Sequence, residues 1–527
     1  MKRPSFSRTR PSSIKRGHDK GSVSLAVLLL AVLFTGLGLT MLHASVVHLK
    51  ICAFRKFSTL LDCASENGLK RGLLDLAAWL RTEAFVAAVP EERVEALRQD
   101  PEAGFPLLVE AAWGSAFPRS LSETVGGMAW DSVSSVALGG LVDLGGWFRV
   151  TARLRIESSG GWVPVRPRRR SVLEGTLGMV AGRLPLPAIP LFLGTAMTEA
   201  EKAAFLEESA IRLAPRPGEL LAPGFAATAD GVIPADMTEA VGKALSIGLF
   251  RPEDLTAARL REALGLEPSA DPVPDGVYLV RDDLGLGGVF VQGDLDEMLL
   301  AVDGSTQVVA FRAAGAEWVL AFSPAARRTE LRTPDGSFAF DLVPLPIVVV
   351  NGRIDSLGGR TVGADGAVAP SLDAATPAVL DGVDLTIVSS DRVTISSHLV
   401  LEGVRWQDGV PYAEGSEAQL VIYASGRDAV TGEALAGGIA VAEGAPADLK
   451  VQASLTAAAG GFAVEGTGKA VELLGALHAG AYDGNGNALA VFRDDRAAAG
   501  VFASNAPLSA TPHLAVHALA VSAWKEY

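Results

Sequence analysis

Residues 21–49 read GSVSLAVLLLAVLFTGLGLTMLHASVVHL, twenty-nine residues without Asp, Glu, Lys or Arg. At a rise of 1.5 Å per residue such a run extends about 43 Å as a helix, and about 20 apolar residues cross a bilayer core. Its densest part, Val23 to Leu42, is interrupted by Ser24, Thr35 and Thr40, whose hydroxyls can bond back to helix carbonyls. The stretch predicts a transmembrane helix over 21–49. A cleaved secretory signal has a shorter apolar region, about 7 to 15 residues, and ends in a small-residue exit that has no convincing counterpart here.

Outward from this run, residues 1–20 form a basic leader, with Lys2, Arg3, Arg8, Arg10, Lys15, Arg16 and Lys20 against Asp19. The other flank opens with Lys50, Arg55 and Lys56, so the basic bias keeps the leader in the cytoplasm and sends the rest across. With a net charge of −14 for the whole chain, the translocated part carries about −20. Dispersed acidic charge argues against nucleic acid as a partner. Cys52 and Cys63 are the only cysteines. Three helical turns separate them by about 16 Å along a helix axis, too far for a disulfide.

Residues 50–97 keep helical apolar spacing through Phe54, Phe57, Leu60, Leu61, Leu69, Leu73, Leu76 and Leu80. They predict an amphipathic stem, bent near Gly68 and Gly72 and stopped before Pro90. Residues 98–270 read as a mixed α/β region. Within it, 147–156 alternate as a strand with Phe148, Val150, Ala152, Leu154 and Ile156 on one side. The run R-P-R-R-R at 166–170 reads as a solvated loop, and Thr198 and Pro252 as helix starts. A Pro-rich junction at 268–274 marks a boundary.

Residues 271–527 then break into strand-sized apolar alternations at 277–280, 288–292, 307–311, 317–322, 347–350, 385–388, 393–395 and 420–423, separated by Gly, Asp, Asn and Ser turn chemistry. No fixed repeat length emerges, which leaves a solenoid-like or a sandwich arrangement open. The fold class is α+β: a single N-terminal transmembrane helix continuing into a long amphipathic helix, a mixed helical region, and a large β-rich C-terminal region.

The text K-G-S-V-S-L at 20–25 and A-S-E-N-G-L at 64–69 resembles a known group, the PilX-type minor pilins of type IV pili and the K-type pseudopilins of type II secretion. There a basic leader ends in Gly, an apolar helix follows, and the helix continues into a segment like A-x-E-x-G-L. The resemblance covers roughly residues 15–82. Separately, P-D-G-V-Y-L-V at 274–280, G-V-F-V-Q-G-D at 288–294, the strand text at 384–395 and the ending W-K-E at 524–526 resemble β-rich extensions on some pilus-assembly proteins.

The first resemblance implies cleavage by a prepilin peptidase after Gly21, with Ser22 as the new N-terminus. It implies an assembly helix carrying Val23, Leu25, Ala26, Leu28 and Leu29, and a stem motif of Glu66, Gly68 and Leu69. Other pilins or pseudopilins, the prepilin peptidase and the bacterial inner membrane are the implied partners. The C-terminal region would be periplasmic, or at the cell surface after assembly. Major pilins carry Glu at the fifth mature position to pair with a neighbour's terminal ammonium, and here that position is Ala26. K-type pseudopilins share this lack and sit at a filament tip, so the implied role is a tip or initiating subunit. Gly36 and Gly38 are two apart and do not form a small-xxx-small ridge.

Enzyme signals are weak, and the reading is of a non-enzymatic protein without cofactor or metal. The pair His513 and His517 has metal spacing on a helix, but Pro512 and the alternation Leu514, Val516, Leu519 and Val521 read as a strand, and no Glu follows His513. G-T-G-K at 466–469 lacks the first Gly and the hydroxyl of a phosphate loop and reads as a turn. D-G-N-G-N at 483–487 has Ala488 where a calcium loop turns on Gly, and reads as a hairpin tip. The alternative reading is a single-pass envelope protein whose β-rich domain binds or cleaves a polysaccharide.

Overall fold

The computed structural model describes residues 20–526 apart from 163–167, 215–220, 222, 228–232, 234–237, 249–253, 283–284, 365–366, 408, 414, 499–500 and 504. The leader at 1–19 and the expected helix start at Pro252 lie outside the described residues.

The uncharged run and the stem form one helix, α1 (Lys20–Arg81), which passes through Gly68 and Gly72 without interruption. The stem does not continue to residue 97 as expected. After Arg81 the chain is drawn to a sheet edge as β1 (Val86–Ala88), and helix resumes as α2 (Glu91–Gln99) behind Pro90. The break is local chemistry overridden by pairing, since Val86, Ala87 and Ala88 lie opposite Ala515, Leu514 and His513 of the last strand. Asp100 then caps α3 (Pro101–Trp113) by accepting the Ala103 N–H at 3.1 Å, which fixes the direction in which that helix leaves.

A six-stranded antiparallel sheet follows from β2 (Arg119–Val125), β3 (Met128–Asp143), β4 (Trp147–Trp162) and β5 (Arg168–Gly182), in the order β1, C-terminal strand, β5, β4, β3, β2. The period-2 pattern read at 147–156 is real: Phe148, Val150, Ala152, Leu154 and Ile156 all lie in the core between this sheet and α1, α2 and α3. The C-terminal strand His513–Glu526 pairs with β5 from Ser171 to Gly182. Residues 183–512 are therefore an insertion between two neighbouring strands.

That insertion is mostly a parallel coil. Strands Gly285–Gln292, Ile347–Asn351, Asp384–Ser389, Gln419–Ala424, Lys450–Ala457, Ala470–Ala479 and Ala488–Phe492 lie side by side in one parallel sheet. Each of the first six is followed in the chain by a strand of a second sheet: Glu297–Asp303, Ile354–Val362, Val393–Ile395, Ile439–Val441, Phe462–Val464 and Tyr482–Asp483. Between the sheets runs a core of Leu, Ile and Val, including Leu385, Ile387, Leu420, Ile422 and Leu455. Parallel pairing with both faces covered explains the continuous apolar runs of these strands. Of the two arrangements left open by the sequence, the pairing is the solenoid-like one.

Sheet membership does not follow the expected division at residues 270 and 271. The C-terminal strand belongs to the first sheet, while Leu191–Leu193 and Ile211–Ala214 pair into the solenoid. Two smaller expectations also change. Arg168, Arg169 and Arg170 are not a loop but the first residues of β5, paired with Gly161, Gly160 and Ser159; residues 163–167 lie outside the described residues. The turn at 483–487 is not a hairpin tip, because the strands it joins lie in opposite sheets; Asn485 and Gly486 adopt positive φ of 47° and 73° to turn that corner.

Candidate functional site

The geometry that stands out is α1 itself, half bare and half seated. Every described side chain from Leu25 to Lys56 is exposed, Leu25, Leu28 and Leu29 at 64, 64 and 60%. At 1.5 Å per residue this is a bare rod of about 48 Å, uncharged as far as Leu49. Ala26 lies on it, as do Gly36 and Gly38, which have no atom within 4 Å of an added Cβ. Gly21, Ser22 and Val23 fall in the first turns of α1, and their side chains are outside what the structure describes. Cys52 and Cys63 are free, exposed thiols.

From Leu61 onward the helix is seated. Leu61, Ala64, Ser65, Gly68, Leu69, Gly72, Leu76, Trp79 and Leu80 are buried, a spacing of three and four that keeps one face on the sheet. The stem motif divides accordingly. Leu69 is in the core, whereas Glu66 points outward and pairs with Lys70 at 2.7 Å.

Gly68 and Gly72 are points of close approach. A Cβ on Gly68 would stand 2.1 Å from Ser158 Oγ, and one on Gly72 2.7 Å from Ser132 Oγ. Gly160 does the same from the sheet side, where a Cβ would stand 2.1 Å from the backbone nitrogen of Ser65. Ser65 and Ser171 close the seat with hydroxyl oxygens 2.8 Å apart.

Ion pairs line both borders of the seat. Arg119 grips Asp75 with two hydrogen bonds, at 2.5 and 3.2 Å, and its guanidinium lies 5.3 Å above the Trp79 ring. The Asp75 hydrogen bond raises the Arg119 pKa against a smaller opposing effect of burial. On the other border Arg169 holds Asp62 at 3.1 Å and donates to Ser58 Oγ. Its neighbours Arg168 and Arg170 pair with Asp131 and Glu157. Hydrogen bonds from Ser122 and Arg168 lower the Asp131 pKa, and that from Arg170 lowers Glu157. Arg168, Arg169 and Arg170 thus lock the helix, β3 and β4 to β5, a role hidden in sequence because their partners lie 13 to 111 residues away.

The remaining candidates resolve into structure. His513 and His517 lie on the C-terminal strand. At 466–469 the chain makes a bend in which Lys469 Nζ donates to the carbonyls of Glu443 and Glu465, so the amine is occupied. Asn487 accepts the Lys469 N–H and donates to Gly466 O, using the side chain that a calcium loop would turn on an ion. Among the described residues no group of three or more His, Cys, Asp or Glu side chains is placed to hold a metal.

One feature escaped sequence reading: a cleft of about 890 Å³ where the solenoid, the first sheet and the returning chain meet. Its signal was present in the strands 385–388 and 420–423, which are apolar on both faces and so had to be covered on both. No protein-family model matches the chain, and neither does any curated protein or solved structure.

Proposed function

We propose that this chain is a non-enzymatic subunit of a type IV pilus or type II secretion-like filament, a minor pilin or pseudopilin acting at the tip or in initiation. The observation that carries the reading is the division of α1. Its first half is an apolar rod with no cover from its own fold, and its second half is fixed rigidly to a sheet. A rod of that kind is stable in a bilayer, or packed among like helices in a filament core, and nowhere else.

The remainder fits a terminal position. Ala26 brings no carboxylate to pair with a neighbour's ammonium, and a 330-residue insertion standing off the sheet would crowd a helically repeating shaft. In the inner membrane the leader stays cytoplasmic and the solenoid faces the periplasm. N-terminal mass spectrometry of the protein made with and without a prepilin peptidase tests the reading. The expected result is a start at Ser22 only when the peptidase is present; a start at Met1 in both would overturn it.

A further inference from the structure

The cleft at the junction of the two bodies has a floor, a roof and an uneven distribution of charge. Its floor is the outer face of the first solenoid sheet, where Thr386, Val388, Val421 and Tyr423 point away from the solenoid core filled by Leu385, Ile387, Leu420 and Ile422. The roof is the returning chain around Phe502 and Pro507, with Trp147 of β4 at one end, edge-on to Phe502 at 5.2 Å. A volume of about 890 Å³ lies within the range of small-molecule sites, which favour domain junctions and apolar walls with few polar groups.

Two observations specify the chemistry. Thr386 is 1% exposed and lines the cleft, yet its hydroxyl has no hydrogen-bond partner. A buried hydroxyl left unpaired is costly, and a polar group in the cleft would offer it a partner on a turn of its side chain. The second observation is charge. Glu239 is neutralised by Lys243 at 2.8 Å, and the Asp428 carboxylate accepts the backbone N–H groups of Val430 and Thr431 at 2.8 and 2.7 Å. Arg183 and Arg427 are exposed at the wall, and neither guanidinium has an ion pair or side-chain hydrogen bond among the described residues. In a chain of net charge −14, the cleft carries Arg183, Arg427 and Lys243 against Glu239 and Asp428, a local excess of positive charge.

We infer that the cleft binds a small amphipathic anion, its flat apolar body between Tyr423, Val421 and Phe502 and its carboxylate, sulfonate or phosphate head on Arg183 and Arg427. A guanidinium matches such a head with two parallel hydrogen bonds, which an ammonium cannot do. The inference stands apart from the filament reading, since nothing in it depends on α1.

The test uses the full chain in lipid nanodiscs, empty nanodiscs as the blank, and naphthalene-2-sulfonate as the probe, followed by saturation-transfer NMR. Saturable binding is expected, with the cationic analogue 2-naphthylmethylamine failing to compete. The double variant Arg183→Ala, Arg427→Ala, altered only at exposed positions, should bind about tenfold more weakly or worse. Ala506→Trp, which fills the cleft from the returning loop, should abolish binding while the melting temperature stays that of the parent. No saturable binding, equal binding of the cation, or unchanged affinity in both variants would overturn the inference.

Discussion

Leu184 and Ser509, 325 residues apart in sequence, are joined by two hydrogen bonds: the Leu184 N–H donates to Ser509 Oγ at 2.9 Å, and the Ser509 N–H donates to the Leu184 carbonyl at 2.8 Å. They mark where the chain leaves the first sheet and where it returns. Leu186 adds a third bond to Pro507 O at 2.9 Å, so the two connections run as a short zipped ribbon. An insertion whose ends are this close leaves the host free to fold as its own unit.

Excision follows from that geometry. Replacing residues 186–507 by a short Gly-Ser turn should leave a folded α1-and-sheet protein, because the core of Leu69, Leu76, Phe148, Val150, Leu177 and Val516 is contributed from outside the insertion. Circular dichroism and limited proteolysis of the shortened chain check this. A protein that is cut throughout its sheet would show that the solenoid is required for the host to fold.

The seat of α1 makes a sharper prediction. Gly68→Val must force backbone or Ser158 and Trp130 to move, since even a Cβ there stands 2.1 Å from Ser158 Oγ and 3.0 Å from Trp130. Overpacking of this kind costs about 1–3 kcal/mol, and Gly160→Val should do the same from the sheet side. Gly36→Ala, with no atom within 4 Å, is the matched control and should leave the stability of the sheet unchanged. Denaturant titrations of the three variants in detergent read the difference. Equal midpoints for all three would mean that helix and sheet are not in this contact.

How much of this was legible beforehand depended on whether a residue's partners were near or far. The buried face of β4 announced itself because Phe148, Val150, Ala152, Leu154 and Ile156 alternate against Arg149, Thr151, Arg153 and Arg155 within one strand. The capping box of Thr198 and Glu201 was equally local. The coil was not legible as a repeat, because its step shrinks: Val289 lies beside Val348, Val348 beside Ile387, Ile387 beside Ile422, Ile422 beside Leu455 and Leu455 beside Leu477, from 59 residues down to 22. Loops and a hairpin meander of unequal length between rungs erase the period while the register survives. The pairing of Gly182 with His513 had no local signature at all. Arg168, Arg169 and Arg170 were misread because charge on both faces hides a strand's alternation.

Acid should unfold the molecule in a defined window. His478 is fully buried, with one ring nitrogen 2.6 Å from Ile189 O and the other 3.1 Å from Thr456 Oγ1, and burial lowers its pKa to about 4. Burial, reinforced by the positive charges of Arg493 and Arg149, lowers His517 to about 4 as well. Free histidine titrates near 6.5, so between about 6.5 and 4 the unfolded chain takes up protons that the folded chain refuses. Stability from these groups is complete above pH 6.5 and falls as pH drops toward 4, by roughly 3 kcal/mol for each. Denaturation free energies measured from pH 7.5 to 4.5 should decline, with a shallower slope in His478→Gln. A profile that rises on acidification would contradict the burial of both rings.

Within the solenoid, Glu297 holds two arginines at once, Arg360 at 2.5 Å and Arg312 at 2.7 Å. The Arg360 side chain is fully buried, and burial lowers its pKa although Glu297 pulls the other way. Removing the carboxylate strands a buried cation, so Glu297→Ala should cost about 3–5 kcal/mol. Arg360→Met removes the charge together with its desolvation and should cost distinctly less. Thermal melts of the two variants decide the order; a reversed order would mean that water reaches Arg360.

The filament reading is exposed at Gly21, where a small residue stands between Lys20 and the apolar run. A peptidase acting at the membrane face must grip extended backbone there, and a guanidinium-bearing side chain would obstruct that grip. Insertion is a separate matter, because it is driven by the 28 uncharged residues that follow, and an added Arg on the leader side strengthens the basic bias that sets orientation. Gly21→Arg should therefore stay in the membrane fraction at parental levels, retain its leader by N-terminal mass spectrometry, and fail to support filaments in cells lacking the parent protein. Normal filaments from a chain that still carries Met1 would show that α1 never has to leave the bilayer for assembly, and the proposed role would go with it.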